Sequence, residues 1–303
     1  MQSSQFAGSA VPYVYGSSRV AGVFGCPIEH SLSPAMHNAA YAALQLSFIY
    51  TPFHVEPGDL GAAIGSITAL GMAGVNLTIP HKEAAIPFLD RLTDSAAECG
   101  AVNTVLPEDG RLLGDNTDGD GFWQPLHDRG FDAAGEHALI LGAGGSARVV
   151  ALTLLKKGAR VRVANRSGGR AEKLVAWLRN LGYSDIEQVE YNAAGLREAA
   201  VTAGLLVNAT PVGMWPATTD ELPAPLSRLR KGMLVVDLVY NPEQTALLRT
   251  AQDAGCETVS GVEMLVAQGA SAFRMFTGVD APVDVMTQAV RAGLTGVAKT
   301  PGR

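Results

Sequence analysis

The segment NLTIPHK, Asn76–Lys82, carries an amide, a hydroxyl and an amine in close succession. Val75, Leu77 and Ile79 alternate with Asn76 and Thr78, which predicts a strand with one buried face and one polar face. Pro80 then opens a helix that carries Lys82. An ammonium held beside a carboxylate can protonate or neutralise an oxyanion as it forms on a substrate. GDNTDGDG offers such a carboxylate, with Asp118 following Asn116 and Thr117. Asn103 lies nearby in GAVNT, and HSLSPAMHN sets Ser31 and Ser33 two residues apart on one side of an extended segment. Those serines can donate to hydroxyls or to a carboxylate. Taken singly, each cluster also has a plain explanation: a solvated lysine, a helix-capping serine, or turn-forming Asn, Asp and Thr.

LILGAGGSARVV carries a second chemistry. Gly142, Gly144 and Ala147 fit G-x-G-x-x-G/A between a predicted strand and a predicted helix. The first glycine allows a tight turn, the second lets backbone approach a pyrophosphate, and the small third residue lets helix and strand pack closely. The helix N-terminus adds free N–H groups and a positive dipole end. The next strand, RVRVAN, ends at Asn165, 23 residues after Gly142. An NAD site usually has Asp or Glu about 20 residues on, to hold the ribose 2′-OH. NRSGGR has no carboxylate and sets Arg166 and Arg170 around Ser167. Two guanidinium groups and a hydroxyl suit a 2′-phosphate, so NADP is the predicted cofactor.

The elements that must hold these groups fall into three blocks. In residues 19–117, RVAGVFG, FIYTPFHV and AGVNLTI read as strands. SPAMHNAAYAALQL, with Ser33 as N-cap and Pro34 first in the helix, and DLGAAIGSITALG, closed by Gly71, read as helices. CGAVNTVLPEDGRLLGDNT reads as a hairpin turning at EDG. From about 120 to 260 apolar strands (HALIL, RVRVAN, LLVNAT, MLVVDLV, ETVS) alternate with helical stretches, which predicts a parallel sheet covered on both faces. The remainder is helical and is expected to pack back on an earlier block.

Composition narrows the classes. The 303 residues are 47% hydrophobic and 17% charged, enough for a sizeable core and about two domains. A net charge of −6 without a basic block disfavours nucleic acid. No apolar run approaches the roughly 20 residues of a membrane span. Residues 1–18 lack the pattern of a signal peptide and read as a loose extension. Three scattered cysteines, Cys26, Cys99 and Cys256, fit small buried thiols in a reducing, cytoplasmic compartment. Without a serine elbow, paired cysteines or metal-ligand histidine spacing, hydride transfer from the bound cofactor is the predicted reaction and no metal is expected.

Together, SLSPAMHN, NLTIPHK, GAVNT, GDNTDG, GAGGSAR, NRSGGR, NATPVGM, DLVYNP and GVEMLVAQGA resemble, in order from Val20 to Gly278, the shikimate dehydrogenase family. The resemblance implies reversible NADPH-dependent reduction of 3-dehydroshikimate to shikimate, a step of aromatic amino-acid biosynthesis. It implies Lys82 and Asp118 as the catalytic pair, without deciding which gives the proton. It places Ser31, Ser33, Asn76, Thr78, Asn103, Tyr240 and Gln268 on the substrate. It places Gly142, Ala143, Gly144, Gly145, Ser146, Asn165, Arg166, Ser167 and Arg170 on NADP, with Leu238 and Gly261 at the nicotinamide end and Asp94 near the cofactor. Leu77 and Phe276 depart from the family's common Val and Trp, apolar for apolar.

The fold class expected is α/β in two domains. Residues 1–117 with 261–303 would form the substrate domain and 118–260 a Rossmann-type NADP domain, in a monomer or homodimer. A quinate/shikimate or aminoshikimate dehydrogenase is the nearest alternative. A glutamyl-tRNA reductase type would need a nucleophilic cysteine in a supporting motif and RNA contacts. A non-catalytic NADP sensor would not need Lys82 with Asp118.

Overall fold

The structure, a computed structural model, describes residues 14–297 apart from 225, 227 and 228. Most of the predicted N-terminal extension and the last six residues of the predicted substrate domain therefore lie outside the described residues. No helix among the described residues is long and apolar enough to cross a membrane.

The first sheet contains β1 (Arg19–Gly25), β2 (Phe48–His54), β3 (Gly74–Leu77), β4 (Arg91–Leu92), β5 (Thr104–Glu108) and β6 (Arg111–Asp115), in the order β2-β1-β3-β5-β6-β4. Interleaved with them are α1 (Ser33–Ala43), α2 (Leu60–Ala69), α3 (His81–Ala84) and α4 (Asp94–Cys99). β1 pairs parallel with β2 and β3, while β3–β5 and β5–β6 are antiparallel. The predicted hairpin is β5–β6. It turns at Asp109 and Gly110, both at positive φ, which is the primed turn that Asp-Gly favours. α5 (Asp118–His127) leads into the second sheet.

That sheet contains β7 (His137–Leu141), β8 (Arg160–Ala164), β9 (Ile186–Val189), β10 (Leu205–Asn208), β11 (Leu234–Asp237) and β12 (Glu257–Val259). All of its pairings are parallel, in the order β12-β11-β10-β7-β8-β9. Helices α6 (Gly145–Lys156), α7 (Gly168–Asn180), α8 (Ala193–Thr202) and α9 (Ala246–Asp253) cover it. Strand order reverses between β7 and β10, so the crevice beyond their C-terminal ends is a topological switch point. α10 (Gly261–Thr277) and α11 (Val283–Val297) close the chain. Val262, Val266, Phe273 and Phe276 of α10 and Met286 and Val290 of α11 share a core with Val23, Met36, Tyr41 and Tyr50. The last helices thus return to the first sheet, as expected.

Three local expectations are corrected. Ser33 is inside α1 and does not cap it; the cap position is Leu32, with no side-chain bond to the helix. Ser31 fills part of that role, its Oγ accepting from the Ser33 backbone N–H at 3.4 Å. The predicted strand AGVNLTI is only Gly74–Leu77, buried on both faces because neighbours and helices cover it, and Ile79 lies beyond its end, 74% exposed. Of the three thiols only Cys99 is buried.

His37 of α1 is fully buried, stacked on Tyr50 with centroids 4.2 Å apart, and neither ring nitrogen has a hydrogen-bond partner. Burial pushes its pKa from about 6.5 down to about 3. An unfolded chain binds this proton below about pH 6.5 and the folded chain does not. Stability from this group is therefore complete above pH 6.5 and lost as pH falls towards 3. Between pH 6.5 and 5 the native chain should lose roughly 2 kcal/mol that His37→Leu does not lose. Urea unfolding of both proteins at the two pH values measures the difference, and equal losses would refute it.

Candidate active site

A cavity of about 300 Å³ opens between the ends of β1 and β3, the turn after β7, the segment after β11 and the start of α10. Lys82 of α3 and Asp118, the first residue of α5, meet in it. Lys82 Nζ donates to Asp118 Oδ2 at 2.5 Å, with side chains 33% and 15% exposed. The carboxylate is thus the more enclosed partner and the ammonium the more open one.

Asp118 is clamped from three directions. Its Oδ1 accepts from Asn103 Nδ2 at 2.8 Å, its backbone N–H donates to Asn116 Oδ1 at 3.0 Å, and Lys82 takes its other oxygen. Asn103 Oδ1 in turn accepts from the Thr117 backbone N–H (2.8 Å) and from Thr104 Oγ1 (2.9 Å). Asn76 Nδ2 donates to Thr104 Oγ1 at 3.0 Å and to the Asn103 carbonyl at 3.1 Å. Tyr50, wholly buried on β2, donates its hydroxyl to Asn76 Oδ1 at 2.7 Å. A buried network satisfied in this way fixes side-chain geometry.

The structure brings Ser31, Ser33, Asn76, Thr78, Lys82, Asn103, Asp118, Tyr240 and Gln268 to one cavity, with Ser146, Leu238 and Gly261. Asn76 and Asn103 spend their amide hydrogens inside the protein, whereas Thr78, Ser31 and Ser33 are half-buried at its wall. Asp94 is not brought there. It is exposed at the start of α4, where its neighbours Thr93 and Ser95 donate to Asp115 at 2.5 and 2.7 Å. Sequence reasoning missed Tyr50, Thr104 and the lining residues His30 and Met264, while Thr117, singled out beside Asp118, proves to brace Asn103. Only His30 carried a signal, standing directly before Ser31.

Gly121 has a packing duty here. A Cβ on it would lie 2.8 Å from the Gln268 backbone nitrogen, where α5 crosses α10. Gly121→Ala should cost about 1–3 kcal/mol through overpacking, measured as a lowered urea midpoint; an unchanged midpoint would contradict the tight crossing.

The glycine turn has the shape a dinucleotide needs. Gly142 sits at φ +114°, and a Cβ there would come within 2.8 Å of the Ala209 carbonyl after β10. A Cβ on Gly144 or Gly145 would meet nothing within 4 Å, so these positions leave room for a ligand against the backbone. Ala143 is half-buried beside them, Ala147 is buried under the helix, and no side chain caps α6. Its first N–H groups are therefore available to phosphate.

The end of β8 lies beside this turn, with the Gly142 N–H bonded to the Ala164 carbonyl at 2.9 Å. Asn165 Nδ2 bridges to the Ser167 carbonyl at 2.9 Å. Ser167 occupies the cap position of α7 with its hydroxyl unused by the helix. Arg166 and Arg170 are exposed and take part in no ion pair among the described residues. These residues fit a dinucleotide with a 2′-phosphate.

Comparison with known proteins agrees. Residues 23–105 match the family described as shikimate dehydrogenase substrate binding domain, 126–242 match shikimate/quinate 5-dehydrogenase, and 261–291 match shikimate 5'-dehydrogenase C-terminal domain. The shikimate dehydrogenase (NADP(+)) of Moorella thermoacetica is 46% identical over 282 residues, 93% of this chain and 95% of that one. A shikimate dehydrogenase crystallised with NADP+ superposes with a TM-score of 0.87 at 36% identity, covering 93% of this chain and 98% of that one. The quinate dehydrogenase of Corynebacterium glutamicum, crystallised with NAD, gives 0.83 at 33% identity, with coverages of 91% and 99%. With three matched segments in order and whole-length likeness in sequence and structure, this chain belongs to the shikimate dehydrogenase family.

Proposed function

We propose that this chain reduces 3-dehydroshikimate to shikimate with NADPH, reversibly, in aromatic amino-acid biosynthesis. The observation that carries this reading is the Lys82–Asp118 pair, held at 2.5 Å in a cavity that the glycine turn also lines through Ser146. Bound NADPH supplies the hydride. The protein must orient a polyol acid, exclude water and deliver one proton to the ketone oxygen.

Asp118 has one oxygen on Asn103 and the other on Lys82. Lys82 keeps two further N–H donors for the cavity. We therefore assign proton delivery to Lys82, with Asp118 aiming it and holding its charge. Thr78, Ser31, Ser33, Tyr240 and Gln268 hold the substrate's hydroxyls and carboxylate, and Asn76 and Asn103 act chiefly by bracing this wall and Asp118. Gly142–Ser146 and Asn165–Arg170 hold NADP, with Leu238 and Gly261 at the nicotinamide end.

The domains divide at 117/118 and 260/261, with the last helices returning to the substrate side. The residues assigned here to substrate and cofactor all come from one chain, which fits a monomer or a homodimer with independent sites. Three free thiols suit the cytoplasm.

Quinate is the second substrate to weigh, given the quinate-dehydrogenase relative. Both serines of SLSP face the cavity and Arg166 and Arg170 stand where NAD use calls for a carboxylate, which favours shikimate and NADP. The test is reduced-cofactor absorbance with shikimate and quinate, each offered with NADP and with NAD. Turnover of shikimate with NADP alone is expected; comparable turnover of quinate or a preference for NAD would overturn the reading.

A further inference from the structure

We propose a divalent-metal site of zinc-like preference at Cys26, His54 and Glu56, outside the catalytic cavity. The Cys26 thiol lies 3.4 Å from His54 Nε2 and 3.5 Å from Glu56 Oε2, and His54 Nε2 lies 3.0 Å from Glu56 Oε1. Tetrahedral zinc, with Zn–S about 2.3 Å and Zn–N or Zn–O about 2.0 Å, sets sulfur about 3.5 Å from its nitrogen or oxygen neighbours and those two about 3.3 Å apart. The Cys26–His54 edge matches that spacing, and Glu56 lies within ligand reach of both, touching the sulfur with Oε2 and the ring nitrogen with Oε1. The fourth corner is left to water, because the cluster faces solvent.

A second feature supports a ligand set rather than a chance grouping. Glu29 Oε1 stands 3.4 Å from the other ring nitrogen of His54. With a metal in place of the proton that Nε2 shares with Glu56, this carboxylate would accept from Nδ1–H and orient the ring, the arrangement found behind metal-bound histidines. Among the described residues neither Glu29 nor Glu56 pairs with Lys or Arg, so no fixed cation already satisfies them.

The ligands stand on ordered backbone. Gly25 and His54 are register partners at the ends of β1 and β2. The Cys26 N–H bonds the Ile79 carbonyl at 3.1 Å, and the Val55 N–H bonds the Gly25 carbonyl at 3.0 Å. Sequence spacing hid the site, because its ligands come from two strand ends 28 residues apart. Partial burial and then Glu56 raise the Cys26 pKa, and Glu56 raises that of His54. The metal must displace these protons, so affinity rises with pH.

The full chain, treated with chelator, would be titrated with CoCl2 alone. One saturable equivalent with a thiolate-to-cobalt charge-transfer band, displaced by ZnCl2, is expected. The band should vanish in Cys26→Ser and in Glu56→Gln, and Glu29→Gln should weaken cobalt binding by about 10–100-fold. Zinc should raise the thermal midpoint of the native chain and not that of Cys26→Ser. Circular dichroism and shikimate turnover, expected to be unchanged, report that the variants fold. No saturable band, or one that survives in a folded Cys26→Ser protein, overturns the site.

Discussion

Replacing Lys82 by Ala should lower kcat for shikimate oxidation and for the reverse reduction by roughly 10²–10⁴-fold, the usual contribution of a positioned general acid–base group. KM for shikimate should move by only a few-fold, since the serines, Thr78 and Gln268 still line the cavity. The ion pair is made by a side chain one-third exposed, so its removal should not unfold the protein. Asp118→Asn should also fall steeply, because an amide offers N–H where Lys82 needs an acceptor. If the pair acts as one unit, the double variant should be scarcely worse than the worse single one. Lys82→Arg is a sharper probe still. It keeps the charge, but its planar fork cannot occupy the place of a compact ammonium donor, so little activity should return. Steady-state absorbance over a range of shikimate concentrations separates kcat from KM. A near-normal kcat in Lys82→Ala would remove the residue from the chemistry.

What the sequence made legible was what local physics controls. The glycine turn could be read because Gly142 must take a positive φ against Ala209 and Ala147 must be small, and both demands leave a mark on residue type. The apolar runs of β7, β10 and β11 declared a sheet buried on both faces. Elements passed over in the sequence include β9, an edge strand with two of four residues exposed, and α9, which is only eight residues long. At the site, residue types pointed to Lys82, Asp118 and the serines. Their meeting depends on how α3 and α5 follow different strands of one sheet, which spacing alone does not encode. Tyr50 was invisible for the same reason: a buried tyrosine reads as core until Asn76 is seen beneath its hydroxyl. Ser33 was misread as a cap because capping is the commonest duty of a serine before proline, and here the residue lies inside the helix and lines the cavity instead.

The second large effect should come from Arg166 and Arg170. Both are exposed, unpaired among the described residues and placed beside the glycine turn at the end of β8. A hydrogen bond to a charged group is worth about 1.5–3 kcal/mol, and each 1.4 kcal/mol is tenfold in affinity. Losing both guanidinium contacts to a 2′-phosphate should therefore weaken NADP by on the order of 10²–10³-fold after solvent screening is allowed for. NAD lacks that phosphate, so its binding should hardly change in Arg166→Ala/Arg170→Ala, and the NADP preference should collapse from the NADP side. Adding Asn165→Asp goes further, since it supplies the carboxylate that holds a ribose 2′-OH and repels a phosphate. The triple variant should then favour NAD outright. Kd values for both cofactors by titration calorimetry, at two ionic strengths, decide the matter. The penalty for NADP should shrink as salt rises, because the lost term is Coulombic. Equal weakening of both cofactors would instead mean that these arginines merely hold the turn in shape.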